Sequence, residues 1–205
     1  MSLKTSVKVG NISNLSDARY CAGMGVDFLG FCLDHFDSNY MDPDNLKIIQ
    51  EWVVGPMIVG EFSSTQPDYI RGNIIKYSLD MIEISSPIIL EEISEINIPK
   101  ILKFDISKFE DIGKLEKALK ASCEMATFFI IEKSGNSNIF FSDLDQLATN
   151  YKIFLGFDIE AENVRKWLSS SNIGGISMRG STEVKPGFKD YDDLADILEI
   201  LEKED

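Results

Sequence analysis

The feature that most constrains the fold is a regular alternation of short strand-like runs and longer helical stretches along the whole chain. Eight runs are rich in aliphatic, β-branched or aromatic residues. The predicted strands are Ser6–Asn11, Phe28–Leu33, Met57–Phe62, Met81–Ile84, Lys100–Phe104, Phe128–Glu132, Lys152–Leu155 and Gly175–Met178. Such alternation favours parallel βαβ units and predicts one α/β domain over residues 1–205, a single (β/α)8 or TIM barrel. An open Rossmann-like or flavodoxin-like sheet has fewer than eight strands, so some of the predicted strands would have no place in it.

Helix starts are marked by residues that commonly cap helices or occupy their first turn. The predicted start signals are Asn14 or Ser13, Asp42, Ser107, Ser142, Glu160 or Ala161, and Asp190. In a (β/α)8 barrel the functional site forms at the C-terminal ends of the strands. We therefore look for chemistry at the residues that end each predicted strand.

The composition restricts the partners. The 205 residues include 34 acidic and 20 basic ones, for a net charge of −14, which repels nucleic acid and anionic membranes. No apolar run approaches the roughly 20 residues that span a bilayer, and the first residues do not form a secretory signal. The three cysteines show no paired or metal-type spacing. We expect a small-molecule partner and a cytoplasmic location.

Two N-terminal segments, Val7–Ala18 and Gly25–Phe31, resemble the opening of the phosphoribosylanthranilate isomerase family, the (β/α)8 isomerases of tryptophan biosynthesis. That opening is roughly K-I-C-G-I-T-N-x-x-D-A followed by G-A-D-x-L-G-F. Gly10 takes the position of the family's catalytic cysteine, and Asn11 takes that of the next glycine. The resemblance continues to the C-terminal part, where Gly180–Asp190 is similar to S-G-V-E-x-x-P-G-x-K-D.

The resemblance implies an Amadori rearrangement of an aminoaldose to an aminoketose, in which an acid opens the sugar ring and a base removes the C2 proton. Glu132 stands where the family carries its acidic aspartate and is the candidate general acid, while Gly10 marks the missing base. The implied substrate-binding positions are Asn11, Asn39, Glu83, Arg179, Gly180 and Ser181. The last three are expected to hold a phosphate. We expect neither a metal nor another cofactor.

Other family positions also differ. Asn39 replaces the arginine that holds the anthranilate carboxylate, and an amide cannot supply a charged bidentate fork. Phe157 and Asp158 replace the two glycines that let backbone amides approach phosphate. Glu61 adds a carboxylate to the third strand, where the family reads V-G-V-F. Loss of the base alone would raise the barrier by about 3–5 kcal/mol.

A second hypothesis rests on the carboxylates that follow predicted strands. They are Asp34, Glu61, Glu83, Asp105, Glu132 and Asp158. If several converge, the barrel mouth is acidic and suits a divalent cation or an amine, with His35, the only histidine, as a further ligand. The alternative function is then a barrel without isomerase activity that binds another small ligand, a metal or amine, or a protein partner. Either a monomer or a homodimer is compatible with the sequence.

Overall fold

The computed structural model describes residues 2–63, 66–180, 183–185, 188–189 and 192–203. Eight parallel strands follow one another in chain order and close into a barrel, as the alternation predicts. The strands are β1 (Ser6–Gly10), β2 (Phe28–Cys32), β3 (Met57–Phe62), β4 (Met81–Ile84), β5 (Lys100–Asp105), β6 (Phe128–Glu132), β7 (Ile153–Leu155) and β8 (Gly175–Arg179). β8 pairs with β1 over five residues and completes the ring.

Helices follow the strands and cover the outside of the barrel. They are α1 (Leu15–Gly23), α2 (Pro43–Trp52), α3 (Pro67–Tyr77), α4 (Pro87–Glu92), α5 (Ile112–Ser122), α6 (Phe141–Leu147), α7 (Ala161–Ser170) and α8 (Asp192–Leu201). A short 3-10 helix, Ile106–Lys108, precedes α5, and a two-stranded hairpin of β9 (Glu183–Lys185) and β10 (Phe188–Lys189) precedes α8. No helix within the described residues is long and apolar enough to cross a membrane.

The predicted start signals are right for some helices and wrong for others. The Asn14 side chain accepts a hydrogen bond from the Asp17 amide and caps α1, and Asp42 caps α2 in the same way. Ser107 does not start α5, because it lies in the 3-10 helix and Asp111 is the cap. The prediction for α6 is also wrong.

Ser142 lies inside α6 rather than before it. The carboxylate of Asp143 accepts the amide hydrogen of Phe140, so the helix begins at Phe141. Glu160 precedes α7 as predicted. Asp190, the start predicted for the last helix, lies outside the described residues.

The interior of the barrel has an apolar layer beneath a charged one. The apolar layer is a buried cluster of Val59, Met81, Ile101, Phe128, Ile130 and Phe154. Successive strand residues alternate between the two faces of a sheet, so the residue two positions further along points the same way. On four strands that residue is charged: Glu61, Glu83, Lys103 and Glu132. The fold therefore places these charges at the C-terminal mouth, directly above a closed apolar floor.

Candidate functional site

The barrel mouth holds six charged side chains of alternating sign. In spatial order they are Glu61, Lys8, Glu83, Lys103, Glu132 and Arg179. Lys8 Nζ contacts both Glu61 Oε1 and, at 2.7 Å, Glu83 Oε2. Lys103 Nζ lies 2.8 Å from Glu83 Oε1 and 3.7 Å from Glu132 Oε1. Arg179 Nη2 ends the series, 3.5 Å from the same Glu132 oxygen. The network joins strands from around the pocket and balances its own charge.

The centre of this network is buried and fully ionised. Burial by itself would raise the pKa of Glu83, but the positive charges of Lys8 and Lys103 outweigh it and lower the pKa to about 2. Burial also disfavours the protonated form of Lys8, yet the neighbouring Glu61 and Glu83 raise its pKa above the usual value. The pKa of Lys103 is raised for the same reason, against its own burial, by Glu83 and Glu132. Both amines therefore stay protonated at neutral pH and cannot act as Schiff-base nucleophiles.

The prediction of an acidic mouth needs correction. Glu61, Glu83 and Glu132 do converge, and Asp34 lines the same pocket, but the two lysines and Arg179 neutralise the three glutamates. Asp105 instead accepts hydrogen bonds from Ser107 and Ser134 and organises a loop. Within the described residues, no three His, Cys, Asp or Glu side chains are grouped in a way that would hold a metal ion.

Gly10 and Asn11 lie at the end of β1, beside Glu61. The backbone at Gly10 does not have a positive φ, so its conformation is open to any residue. A Cβ at this position would lie less than 3.0 Å from Glu61 Oε1 and 2.9 Å from Lys8 Nζ, so the ends of these two side chains would have to move. Asn11 has a φ of 55°, a left-handed conformation that asparagine tolerates better than most residues. Its amide donates to Glu61 Oε2 at 3.0 Å.

The remaining predicted substrate-binding residues divide between the pocket and its rim. Asn39 lines the pocket from the exposed loop after β2, and both its backbone and side-chain nitrogens donate to Asp37. Arg179 also lines the pocket, and its side chain is 76% exposed. Gly180 is buried, and its amide donates to the Gly10 carbonyl at 2.7 Å. Ser181 lies outside the described residues.

The loop after β7 has lost the glycine pair but keeps an unusual backbone. Asp158 has a φ of 52°, and Phe157 is half-buried beneath the side chain of Lys133, whose Nζ lies 5.8 Å from the ring centre. Arg179 borders this loop as well as the main pocket. The exposed guanidinium thus stands between Glu132 and the loop that, in the resembling family, approaches phosphate.

Two further candidates are not suited to acid–base chemistry in the main pocket. Burial raises the pKa of the Cys32 thiol to about 11, so it is neutral near pH 7. His35 is exposed and its Nδ1 lies 2.9 Å from the Tyr69 hydroxyl, in a separate cavity on the outer side of the mouth.

Sequence reasoning missed Lys8 and gave no role to Lys103. A signal was present in both cases. Lys8 interrupts the valines of β1, and Lys103 stands between Leu102 and Phe104 in β5. A lysine at an inward position of a barrel strand requires a buried carboxylate partner, and the strand-end glutamates were already candidates.

Comparisons with known proteins find similarity to phosphoribosylanthranilate isomerases. No protein-family model matches the chain. An N-(5'-phosphoribosyl)anthranilate isomerase of Aquifex aeolicus is 22% identical over 203 residues, covering 97% of this chain and 98% of the relative. One of Maridesulfovibrio salexigens is 21% identical over 202 residues, covering 92% and 94%.

Solved structures show the same fold. The phosphoribosyl anthranilate isomerase of Thermotoga maritima superposes with a TM-score of 0.78 at 21% identity, covering 96% of this chain and 98% of that one. A phosphoribosyl anthranilate isomerase in complex with reduced 1-(o-carboxyphenylamino)-1-deoxyribulose 5-phosphate gives a TM-score of 0.77 at 20% identity, with the same coverage. Sequence and fold similarity therefore both extend over nearly the whole chain.

Proposed function

We propose that this chain, a divergent relative of the phosphoribosylanthranilate isomerases, is an aldose–ketose isomerase that acts on a phosphorylated N-glycosylamine. The observation that carries the proposal is the position of Glu132, whose carboxylate ends β6 in the pocket between Lys103 and Arg179. The reaction class is supported by the full-length similarity to isomerases of that name.

Glu132 is the general acid in the proposed reaction. Its proton goes to the ring oxygen of the sugar, the C1–O bond breaks, and the nitrogen lone pair forms a C1=N bond. The side chain is 26% exposed, which makes it accessible from the pocket.

Substrate recognition is proposed to divide along the pocket. Arg179 is the charged group for the phosphate, with Gly180 and Ser181 following it in the chain. Because the Gly180 amide already donates to Gly10, the guanidinium carries this contact in the proposal. At the other end, Asn39 offers an amide in place of a guanidinium, so we expect a weaker hold on an anthranilate carboxylate.

Glu83 and Asn11 are proposed to hold the charged side chains of the pocket in place rather than to bind the substrate themselves. Glu83 fixes Lys8 and Lys103, and Asn11 fixes Glu61. A rigid arrangement of this kind supports the positioning on which acid–base catalysis depends.

The test is complementation of a tryptophan auxotroph that lacks the isomerase, with this chain as the only source of the activity. We expect growth with the wild type and no growth with Glu132→Gln, which keeps the shape of the side chain but removes its proton. Glu124→Gln, at an exposed position after α5, is the matched control and should support growth. Purified protein and N-(5-phosphoribosyl)anthranilate provide the same comparison in vitro.

Absence of growth with folded wild-type protein would contradict the proposal and favour the alternative, a barrel that binds another small ligand.

We also propose that the protein acts in the cytoplasm as a monomer or homodimer. A phosphoribosylanthranilate isomerase of Thermotoga maritima is described as dimeric. Light scattering distinguishes the 23.0 kDa monomer from a dimer.

A further inference from the structure

The Glu61 carboxylate fills the space into which the family's cysteine would project. A Cβ on Gly10 would lie less than 3.0 Å from Glu61 Oε1, and so would a Cβ on Gly30 of the neighbouring strand. The two glycines open a gap at the end of β1 and the middle of β2, and the side chain from β3 reaches into it. A carboxylate therefore occupies the position that the missing thiol leaves vacant.

This carboxylate is held in place by two donors. The Asn11 amide donates to Oε2 at 3.0 Å, and Lys8 contacts Oε1. Lys8 is itself fixed by Glu83, so the position of the carboxylate is set by β1 and β4 together. The Glu61 side chain remains 18% exposed and lines the same pocket as Glu132.

We propose that Glu61 is the general base that takes over the role of the cysteine missing at position 10. This inference rests on the proposed isomerase function. After Glu132 has opened the ring, a Glu61 oxygen accepts the C2 proton, the C–H electron pair becomes the C1=C2 bond of an enaminol, and the π pair of the C1=N bond returns to the nitrogen. C1 then gains a proton and the C2 hydroxyl loses one, which gives the ketone. The substrate is only rearranged, so neither an oxidant nor a reductant is needed.

Other groups near the vacated position are less suitable as the base. Glu83 is only 4% exposed and lies between two ammonium groups, which favour its unprotonated form strongly. Asp34 Oδ2 accepts hydrogen bonds from both the amide and the hydroxyl of Ser63. The Cys32 thiol is neutral near pH 7. Glu61 combines a carboxylate, access to the pocket and the right position.

The experiment compares Glu61→Gln and Glu61→Asp with the wild type in the full chain, using N-(5-phosphoribosyl)anthranilate carrying deuterium at C2. Glutamine keeps the shape of the side chain and one acceptor oxygen for Asn11 or Lys8, and circular dichroism checks that the variant folds. We expect Glu61→Gln to lower kcat by about 10²–10⁴-fold, as is typical for loss of a general base. Glu61→Asp should restore part of the activity, and the isotope effect on kcat should rise in the variants as proton removal becomes slower.

The outcomes separate this inference from the proposed function. If the wild type isomerises and Glu61→Gln stays within about threefold of it, with an unchanged isotope effect, Glu61 is not the base although the enzyme is an isomerase. If folded wild type shows no turnover, the proposed function fails and the role of Glu61 fails with it. Glu124→Gln again serves as the control with unchanged turnover.

Discussion

The close approach of Gly10 and Glu61 makes a quantitative prediction about the reverse substitution, Gly10→Cys, which restores the family residue. The new Cβ cannot coexist with the present position of the Glu61 carboxylate. The carboxylate must shift, and we expect it to lose its charged hydrogen bond from the Asn11 amide and its contact with Lys8. Loss of the hydrogen bond costs about 1.5–3 kcal/mol, and disruption of a buried ion pair about 3–5 kcal/mol. Because Lys8 keeps Glu83 as a partner, we expect Gly10→Cys to cost about 3 kcal/mol in total.

The same substitution should cost little once Glu61 is gone. Glu61→Val, the family residue at that position, also removes the contacts with Asn11 and Lys8 and should cost about 3 kcal/mol alone. In that background the cysteine meets no carboxylate, so the double variant should be about as stable as Glu61→Val. The two costs would then be non-additive, with a coupling energy of about 3 kcal/mol, at the upper end for residues in contact.

Urea unfolding of the wild type, the two single variants and the double variant measures this cycle directly. Gly72→Cys is the control, because a Cβ added to this exposed helical glycine in α3 would meet no atom within 4 Å, and the substitution should not destabilise. Additive costs, with the double variant about 6 kcal/mol less stable than the wild type, would refute the view that Gly10 is glycine to make room for Glu61.

Two further predictions concern the charged network and its exposed end. Since the pKa of Glu83 falls from 4.5 to about 2 on folding, its stabilising effect is complete above pH 4.5 and is lost as the pH falls towards 2. Acid titration of the unfolding free energy should show a decrease of about 3 kcal/mol that is absent in Glu83→Gln; equal slopes would contradict this. Arg179→Gln should raise KM for the phosphorylated substrate about tenfold or more and change stability by less than about 0.5 kcal/mol, whereas exposed Arg19→Gln should change neither. An unchanged KM would show that Arg179 does not bind the phosphate.

The sequence was sufficient to predict the barrel because each strand and most helices have a local signal. Apolar runs such as Phe128–Glu132 coincide with the observed strands, and caps such as Asn14 act where they were expected. The errors at Ser107 and Ser142 have a common cause. In both places an aspartate nearby, Asp111 or Asp143, accepts a free amide at the helix start, and such competition between neighbouring polar residues depends on the path of the loop.

The site was harder to predict, because its chemistry depends on pairs of residues far apart in the chain. The two-residue period of a strand predicts that Glu61 and Glu83 point into the barrel. It does not predict which side chain each of them pairs with. Lys8 is 53 residues from Glu61, and only the pairing of β1 and β3 with the strand between them, β2, brings the two side chains together. A count of carboxylates therefore predicts an acidic mouth, whereas the folded chain pairs the three glutamates with two lysines and an arginine.

The differences from the resembling family are of two kinds: some keep the conformation of the backbone, and one changes the chemical groups of the site. At two positions where the resembling family carries glycine, the chain has Asn11 and Asp158, and both have left-handed backbones, with φ of 55° and 52°. Asparagine and aspartate are the residues other than glycine that tolerate this region best, at a cost of about 1–2 kcal/mol for an ordinary residue. The glycine at position 10, in contrast, replaces a cysteine at a place where the backbone requires no glycine, and the Glu61 carboxylate fills the vacated space. If the site had simply lost its function, we would expect that space to be empty or to hold an apolar group. A carboxylate fixed by Asn11 and Lys8 instead occupies it, in the same pocket as Glu132, which is the arrangement that the proposed exchange of one acid–base pair for another requires.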